Sequence, residues 1–266
     1  MIVPRRATSA TIPMAEALAT PPPLAARLPC VLAHLTGPLA GRLRSGRELA
    51  ALQGGAAHDQ PRPAPWSTAL PGLARLLPGG LPRGELIELT AGRSSGRFAC
   101  TLMLLAAATS AGENAALIDL GDGLDPQSAA PMGIVWPRLL WARPRAVREA
   151  LAATEAALTG GLPLVVLDLG LPPLPGGRGA EAMWLRLARS ARQHDALLVV
   201  ASPYRVAGPA ASTVLELTRG RPLWSDTGGT GAAPRLLEGA DGRLTLTKGH
   251  RLLAPQMQAL RLALQA

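Results

Sequence analysis

A segment rich in glycine and serine, AGRSSGRF, lies between an apolar stretch and an apolar run that favours a helix, which is the setting of a phosphate-binding loop. Such a loop holds phosphates on backbone N–H groups at a helix N-terminus, while a lysine reaches the terminal phosphates and a serine or threonine hydroxyl binds magnesium. The residues in question are Ala91, Gly92, Arg93, Ser94, Ser95, Gly96, Arg97 and Phe98. Only Gly96 matches the pattern G-x-x-x-x-G-K-[ST] outright, so the segment predicts the shape of the loop without its lysine or its magnesium ligand.

Arg97 stands at the lysine position, and two interpretations of it are open. In the first interpretation Arg97 binds a phosphate or an acidic partner. In the second it is a surface arginine that fills a loop without a ligand, and this second interpretation is favoured. Phe98 has no oxygen to offer magnesium. Asp168 ends the apolar run LVVLD about seventy residues further along, where a second magnesium-associated carboxylate would stand. Without a hydroxyl opposite, a carboxylate held by hydrogen bonds at a strand end is the favoured interpretation of Asp168.

The composition predicts a globular protein rather than a membrane or disulfide-rich one. The chain has 266 residues, of which 48% are hydrophobic, and this suits one domain of about 200 residues plus an extension. No apolar run reaches the roughly 20 residues that span a bilayer, and no apolar core follows the N-terminal arginines, so we expect neither a membrane segment nor a signal peptide. Two cysteines and four scattered histidines have no metal or redox spacing. We therefore expect a cytoplasmic protein without a metal site.

The chain carries a net charge of +9, and Lys248 is its only lysine. A basic balance of this size is compatible with nucleic-acid or acidic protein partners. A composition rich in arginine, alanine and proline is equally typical of a GC-rich genome. The net charge alone therefore does not decide whether the arginines bind a partner.

The residue composition and pattern change near Trp66, and the sequence is predicted to form three parts. Residues 1–28 form an Ala/Pro-rich tail that can bury little apolar surface and is predicted to be disordered. Residues 29–65 are predicted to form an N-terminal helix or extension followed by a linker. Residues 66–266 are predicted to form the core domain.

Apolar runs alternate with helical patterns through the core domain. Strands are predicted at Glu85–Thr90, at a segment ending at Asp119, at a segment ending at Asp168 and at ALLVVASP. Runs of Val, Leu and Ile that alternate with helices are typical of a parallel sheet covered on both faces. The segments STVLELTR and GRLTLTKG alternate with period two and indicate exposed-edge or antiparallel strands.

Helices are predicted from about Gly96 to Ser110, over PRAVREALAATEAAL and over GAEAMWLRLARSARQHD. The inward faces of the last two are predicted to carry Val147, Leu151, Thr154 and Leu158, and Trp184, Leu187, Ala188 and Ala191. Trp136 and Trp141 are predicted to flank a loop. Residues 255–266 fit either a helix, through Met257, Leu260 and Leu264, or a strand, through LRLAL.

Six segments, taken in their order and spacing, resemble the RecA family and most closely its degenerate ImuA group. They are LPGGLPRGELIEL, SSGRFACTLMLLAAA, LIDLGDGLDP, PLVVLD, ARQHDALLVVAS and LTLTKGHRLLAPQMQALRL, and the resemblance covers about residues 66–266. It implies an α/β fold with a RecA-like P-loop core. This core would have a mainly parallel sheet with helices on both faces and antiparallel strands toward the C-terminus.

The resemblance also implies that the catalytic residues are replaced. The family's water-activating glutamate matches Gly121, with the shorter Asp122 one residue further along. The aromatic ring that stacks on adenine matches Ser128, and the nucleotide-sensing glutamine falls near Ser202 and Pro203. Because removing one electrostatic contributor costs about 10²–10³-fold in rate, losing several implies essentially no ATP turnover. We expect no catalytic residue and no cofactor, while binding of ATP without hydrolysis stays open.

The two loops that hold single-stranded DNA in RecA match short segments here, residues 169–179 and 203–212, in which proline and glycine dominate. This composition argues against a RecA-like grip on DNA. The candidate DNA or partner contacts are Arg178, Tyr204 and Arg205, together with a basic stripe of Arg186, Arg189 and Arg192. For the stripe, a solvated helix face is the favoured interpretation.

The resemblance implies a non-catalytic accessory protein of DNA-damage tolerance, acting in mutagenic, error-prone translesion synthesis of the SOS response. The expected partners are RecA itself, an ImuB-like polymerase-fold protein and the replicative-type translesion polymerase that works with it. DNA is expected to bind weakly, and no membrane is expected. The alternative is an ATP-binding protein or a weak DNA-dependent ATPase of the recombinase type, with Arg97 in place of the lysine and Asp122 in place of the glutamate.

Overall fold

A computed structural model of the chain describes residue 65 and residues 71–170, 180–225, 236–249 and 254–263. All of these lie in the second of the two units into which the chain divides, Ser45–Ala266. The predicted tail and nearly all of the predicted N-terminal extension and linker lie outside the described residues, and so does Arg178.

Eight strands form one sheet within the described ranges, in the order β3-β2-β4-β5-β1-β6-β7-β8. The first six strands in this order run parallel, whereas β7 pairs antiparallel with both β6 and β8. Their bounds are β1 Leu86–Thr90, β2 Ala115–Asp119, β3 Leu139–Ala142, β4 Leu164–Asp168, β5 Leu197–Ser202, β6 Thr213–Trp224, β7 Leu237–Lys248 and β8 Gln256–Ala263. The predicted fold, a mainly parallel sheet with antiparallel strands toward the C-terminus, is confirmed.

Helices connect the parallel strands. Their bounds are α1 Pro71–Leu76, α2 Arg97–Ser110, α3 Pro126–Ala129, α4 Val147–Thr159 and α5 Ala180–Gln193, with 3₁₀ turns at Ala130–Met132, Trp136–Arg138 and Gly208–Ala210. No helix in the described ranges is long and apolar enough to span a lipid bilayer.

The core lies on both faces of the sheet, and β4 shows how a continuous apolar run produces this. Leu164 and Val166 pack with α1 and α2 on one face, whereas Val165 and Leu167 pack with α4 and α5 on the other. Successive strand residues point to opposite faces, so a strand covered on both sides has no position for a solvated side chain. The predicted two-sided burial is therefore correct.

The helix faces follow the prediction closely in α5 and less closely in α4. In α5, Trp184 and Leu187 are buried, and the three stripe arginines are exposed. In α4, Val147 and Leu151 are only half-buried. Thr154 and Leu158 are buried as predicted, and Ala150 and Ala157 complete the buried face. Small side chains bring this helix close to the sheet, which a search for large apolar residues does not detect.

Two sequence expectations concern the edges of the sheet, and one of them needs correction. The loop expected between Trp136 and Trp141 is wrong, because Trp141 lies in β3, a four-residue strand that pairs with β2 at the edge of the described sheet. Its LLWA sequence is too short to show a period. For the C-terminal segment the strand alternative is correct, since Leu260 is buried while Met257 on the opposite face is 59% exposed.

Candidate functional site

The degenerate phosphate loop connects the carboxyl end of β1 at Thr90 to the start of α2 at Arg97. Gly96 caps the helix with φ 86°, a left-handed conformation that glycine adopts without steric cost. In open parallel sheets, ligands bind at the carboxyl ends of the strands. The loop is therefore positioned as a nucleotide loop would be.

Arg97 is buried, with 8% of its surface exposed, so the favoured expectation of a surface arginine is wrong. Its guanidinium folds back between the strand ends. Nη1 donates to the Ala91 carbonyl oxygen at 3.2 Å, and Nη2 donates to the Gly170 carbonyl oxygen at 2.8 Å and to Asp168 Oδ1 at 3.2 Å. The buried Nε has no hydrogen-bond partner among the described groups. The charge that a phosphate loop would direct at its ligand is thus directed at the protein's own acceptors.

Asp168 ends β4 and is 3% exposed. Its Oδ1 also accepts a hydrogen bond from the Gly170 backbone N–H at 2.9 Å. Burial raises the pKa of the Asp168 carboxyl above its ordinary value, and the nearby charge of Arg97 opposes this rise. Asp168 and Arg97 form a single buried ion pair that bridges β4 and α2.

Asp119 is a buried carboxylate that the sequence analysis placed at a strand end without giving it a role. It pairs in register with Asp168 across β2 and β4 and is 1% exposed. It accepts hydrogen bonds from the backbone N–H groups of Gly123 at 2.9 Å and Leu124 at 3.0 Å, and from Trp141 Nε1 at 3.3 Å. Asp119 therefore shapes the turn after β2. The sequence could have indicated this place for Asp119, because the residue ends a predicted parallel strand, as Asp168 does.

The residues present do not fit a magnesium site of the phosphate-loop type. Phe98 occupies the hydroxyl position, and its ring lies against the turn after β2, where a Cβ on Gly123 would be 3.4 Å from the ring. Asp168 is already paired with Arg97, a cation that competes with a metal ion for the same carboxylate. Over the ranges that the structure describes, no three His, Cys, Asp or Glu side chains are grouped so that they could hold a metal.

The position of the family's catalytic glutamate has no room for a side chain. A Cβ on Gly121 would lie 2.9 Å from the Gly170 Cα, closer than real Cβ contacts. The neighbouring Asp122 is exposed, and both of its carboxylate oxygens accept hydrogen bonds from Arg143, at 2.6 and 2.7 Å. The hydrogen bond from Arg143 lowers the pKa of Asp122. A carboxylate with a lowered pKa is a weak general base.

Leu262, near the end of β8, packs against the helix cap of the loop. A Cβ on Gly96 would lie 2.1 Å from Leu262 Cδ1, so a larger residue there would require the Leu262 side chain to move. The N-terminus of α2, where a phosphate would bind, is therefore bordered by an apolar side chain. The sequence offered no signal for this contact, because the two residues belong to opposite ends of the core domain.

Ser128, at the position of the adenine-stacking aromatic, serves the local fold instead. Its backbone N–H and its hydroxyl both donate to Asp125 Oδ2, at 3.2 and 2.5 Å, and Asp125 thereby caps α3. A serine has no aromatic face for a base to stack on. Ser128 also lines a cleft beside the loop, together with Ser94, Gly96 and Leu262.

The loop after β5 is fixed by a buried glutamate that sequence reasoning missed. Glu88 in β1 is fully buried, and its Oε1 accepts hydrogen bonds from the backbone N–H groups of Val206 at 2.5 Å and Ala207 at 2.7 Å. Lys248 Nζ donates to the Gly208 and Pro209 carbonyls from β7. Contacts from β1 and β7 therefore hold this loop. It is one of the two short segments that the resemblance matches to DNA-holding loops.

The described candidate DNA contacts lie on two elements, the loop after β5 and helix α5. Arg205 Nη2 donates to Thr247 Oγ1 in β7, and Tyr204 beside it is 41% exposed. The arginine stripe lies on the outer face of α5, where Arg186 donates to Glu155 Oε2 at 3.0 Å. Arg189 and Arg192 are exposed on the same face.

Comparison with known proteins gives matches in sequence and in structure. The family model of the RecA N-terminal domain matches residues 67–173. The RecA proteins of Rickettsia canadensis and Kineococcus radiotolerans are 35% and 37% identical over 91 residues, which are 34% of this chain and 26% of each relative. The RecA protein of Bordetella petrii gives the same 37% over 91 residues. The chain thus spans about a quarter of the length of the curated relatives that it matches.

The crystal structure of the RadB recombinase aligns with 74% of this chain and 95% of that chain, at a TM-score of 0.55 and 17% sequence identity. A likeness at this identity concerns the fold. Residues 67–173 are therefore related in sequence to the RecA N-terminal domain, and the protein as described has a RecA-like core.

Proposed function

We propose that this protein is a non-catalytic, RecA-like accessory protein of the ImuA type that acts in error-prone translesion synthesis. It works by protein–protein contacts with RecA, with translesion polymerase subunits, or with both. The polymerase subunits are an ImuB-like polymerase-fold protein and its replicative-type partner. The pathway comes from the resemblance of the six core segments, and the loss of catalysis comes from the residues.

The observation that carries the proposal is the buried Arg97–Asp168 pair. The group that would bind the terminal phosphates donates to three protein acceptors, and one of these is the carboxylate expected at a magnesium site. Binding a nucleotide in the usual way would require Arg97 to leave Asp168. That step would leave the Asp168 carboxylate, which is 3% exposed, buried without a compensating positive charge.

Two further features support a binding role rather than an ATPase. The glutamate position is a glycine pressed against Gly170, and Asp122 beside it is held by Arg143. The loop after β5 has its backbone N–H groups at Val206 and Ala207 committed to Glu88. Neither nucleotide hydrolysis nor a RecA-like grip on DNA is favoured by this arrangement.

Affinity capture tests the pathway. The tagged chain is expressed in cells whose DNA has been damaged and is purified after nuclease treatment. We expect RecA or translesion polymerase subunits to be recovered with it, because direct protein contacts survive removal of DNA. Binding is then repeated with the purified partner. Absence of all of these proteins from the eluate would refute the assignment to translesion synthesis.

A phosphate-release assay with Mg-ATP, with and without single-stranded DNA, tests the enzyme alternative. We expect no release above the protein-free blank. Should release occur, Asp122→Asn identifies its origin, because this exposed residue is the remaining candidate base and its replacement leaves the fold unstressed. Asp241→Asn is the matched control, an exposed carboxylate that is likewise paired with an arginine. Release lost in the first variant and kept in the second would establish the ATPase.

A further inference from the structure

The antiparallel end of the sheet extends beyond the helices that cover its parallel part. Strands β6 and β7 have 12 residues each, whereas β1 has 5. Leu217 in β6 is still buried in the core cluster that includes α2, but Trp224 at the end of the strand is 50% exposed. One face of the sheet therefore continues from the core into an open region.

A cleft of about 780 Å³ occupies this open region, between α2 and the far halves of the last three strands. This volume is typical of ligand sites, which span about 300–1,000 Å³. One wall consists of Ala99, Met103 and Ala106 from α2, and the other includes Trp224 and Leu262. Methionine and tryptophan offer adaptable apolar contact area, which favours protein segments over a single rigid ligand.

Arg219 gives the cleft its charge. It lies two residues after Leu217 in β6, so both side chains project from the same face of the sheet. Its register partner is Gly242, which has no side chain to crowd the guanidinium. Within the described part of the chain, Arg219 makes no ion pair, and the residues that line the cleft include no carboxylate. Arg261, the other arginine of the lining, already pairs with Asp241.

We propose that this cleft binds a short segment of another protein that presents apolar side chains beside an acidic residue. The apolar walls take the side chains, and Arg219, which is exposed in the free chain, pairs with the carboxylate through a charge-assisted hydrogen bond. The proposal deepens the accessory role proposed above and rests on it for the class of partner. A nucleotide is the less suitable occupant, because Leu262 borders the helix N-terminus and Arg97 is committed to Asp168.

The test uses the purified full chain and three short fluorescent peptides in an anisotropy titration. One peptide combines leucine, tryptophan and aspartate. The second replaces each aspartate by lysine, and the third replaces the leucine and tryptophan by serine. We expect saturable binding of the acidic apolar peptide alone. Arg219→Glu should weaken it by about tenfold or more, because a hydrogen bond to a charged group is lost and repulsion replaces it.

Arg221→Glu is the matched control, since it makes the same change of charge on an exposed β6 residue that does not line the cleft. It should bind the acidic peptide as the unchanged chain does. Equal binding of the lysine peptide, or equal weakening by both variants, would overturn the proposal. So would displacement of the peptide by Mg-ATP, which would make the cleft a nucleotide site.

The peptide test and the affinity capture fail separately. If the unchanged chain does not bind the acidic apolar peptide and the Arg219→Glu chain still captures RecA or polymerase subunits, this surface is rejected and the accessory role remains. Specific peptide binding with an empty capture would keep the surface and reject the pathway.

Discussion

Two arginine–aspartate pairs lie at the carboxyl ends of the parallel strands, and they differ in almost everything except composition. Arg97 and Asp168 have side chains that are 9% and 4% exposed, and one contact of 3.2 Å joins them. Arg143 and Asp122 have side chains that are both 56% exposed, and two shorter hydrogen bonds of 2.6 and 2.7 Å join them. Arg143 also stacks on Trp141, with its guanidinium carbon 5.0 Å from the ring centroid.

This contrast shows that hydrogen-bond geometry alone does not rank the two pairs by their contribution to stability. Water solvates the exposed charges when they separate, so the better-formed pair stabilises the fold little. The buried charges have no such alternative, and each depends on the other for compensation. The Arg97 pair joins α2 to β4 inside the protein, while the Arg143 pair holds a carboxylate at the surface.

The largest expected effect is that of Arg97→Ala. Removing one partner of a buried pair leaves the other uncompensated, so the free energy of unfolding should fall by about 3–5 kcal/mol at neutral pH. Urea denaturation followed by circular dichroism measures it. The double variant Arg97→Met, Asp168→Leu is the control and should recover most of the loss, because neither charge remains. A loss below about 1 kcal/mol in Arg97→Ala would show that the pair behaves like a surface one.

Gly96→Ala tests the loop around the buried pair and should have the next largest effect. A left-handed conformation costs a non-glycine residue about 1–2 kcal/mol, and the new Cβ would also collide with Leu262. Adding Leu262→Ala should remove the collision but not the backbone strain, and denaturation of both variants separates the two. If Gly96→Ala unfolds at the same urea concentration as the parent chain, the loop must adopt a different conformation.

The pH dependence of stability should have opposite signs at the two aspartates. The pKa of Asp168 is raised in the folded state, so the folded chain binds its proton more tightly and protonation favours folding. Its contribution is present below the unfolded pKa of about 4 and is lost as the pH rises through the raised folded value. The pKa of Asp122 is lowered, so its contribution is present above about 4 and is lost as the pH falls.

Denaturation of Asp168→Asn and Asp122→Asn between acid and neutral pH, each compared with the parent chain, measures these slopes. With rising pH, the free energy of unfolding of the parent chain relative to Asp168→Asn should fall. Relative to Asp122→Asn it should rise. Slopes of the same sign would contradict the contrast between burial at one site and hydrogen bonding at the other.

Asp122→Asn and Arg143→Gln should have the smallest effects, a loss of stability at neutral pH that is well below that of Arg97→Ala. The side chains are exposed, and salt screens their attraction. The same denaturation series measures them beside Arg97→Ala. A loss of comparable size at both pairs would abolish the contrast between them.

The sequence predicts most of the fold because its strongest signals are local. The LVVLD run and the alternation of STVLELTR fix the strand types, and the glycine and serine cluster before α2 locates the loop. The ends of parallel strands meet at one edge of the sheet, so Asp168 is expected near the loop without any structure.

What the sequence does not reveal is which side chains meet across long separations. Arg97 and Asp168 are 71 residues apart, and nothing in the local pattern distinguishes a buried arginine from an exposed one. Two other contacts also join residues that are far apart in the sequence. Leu262 packs against Gly96, and Glu88 accepts hydrogen bonds from the loop after β5. The missed β3 has another cause, since a four-residue edge strand is too short for its pattern to be recognised.

The close approach of Gly121 to Gly170 restricts which residues can stand at position 121. A glutamate introduced there by a single substitution would force a Cβ to within 2.9 Å of the Gly170 backbone, so the substitution by itself should harm folding. The backbone at Gly170 would have to move to make room, so positions 121 and 170 are expected to change together rather than one at a time.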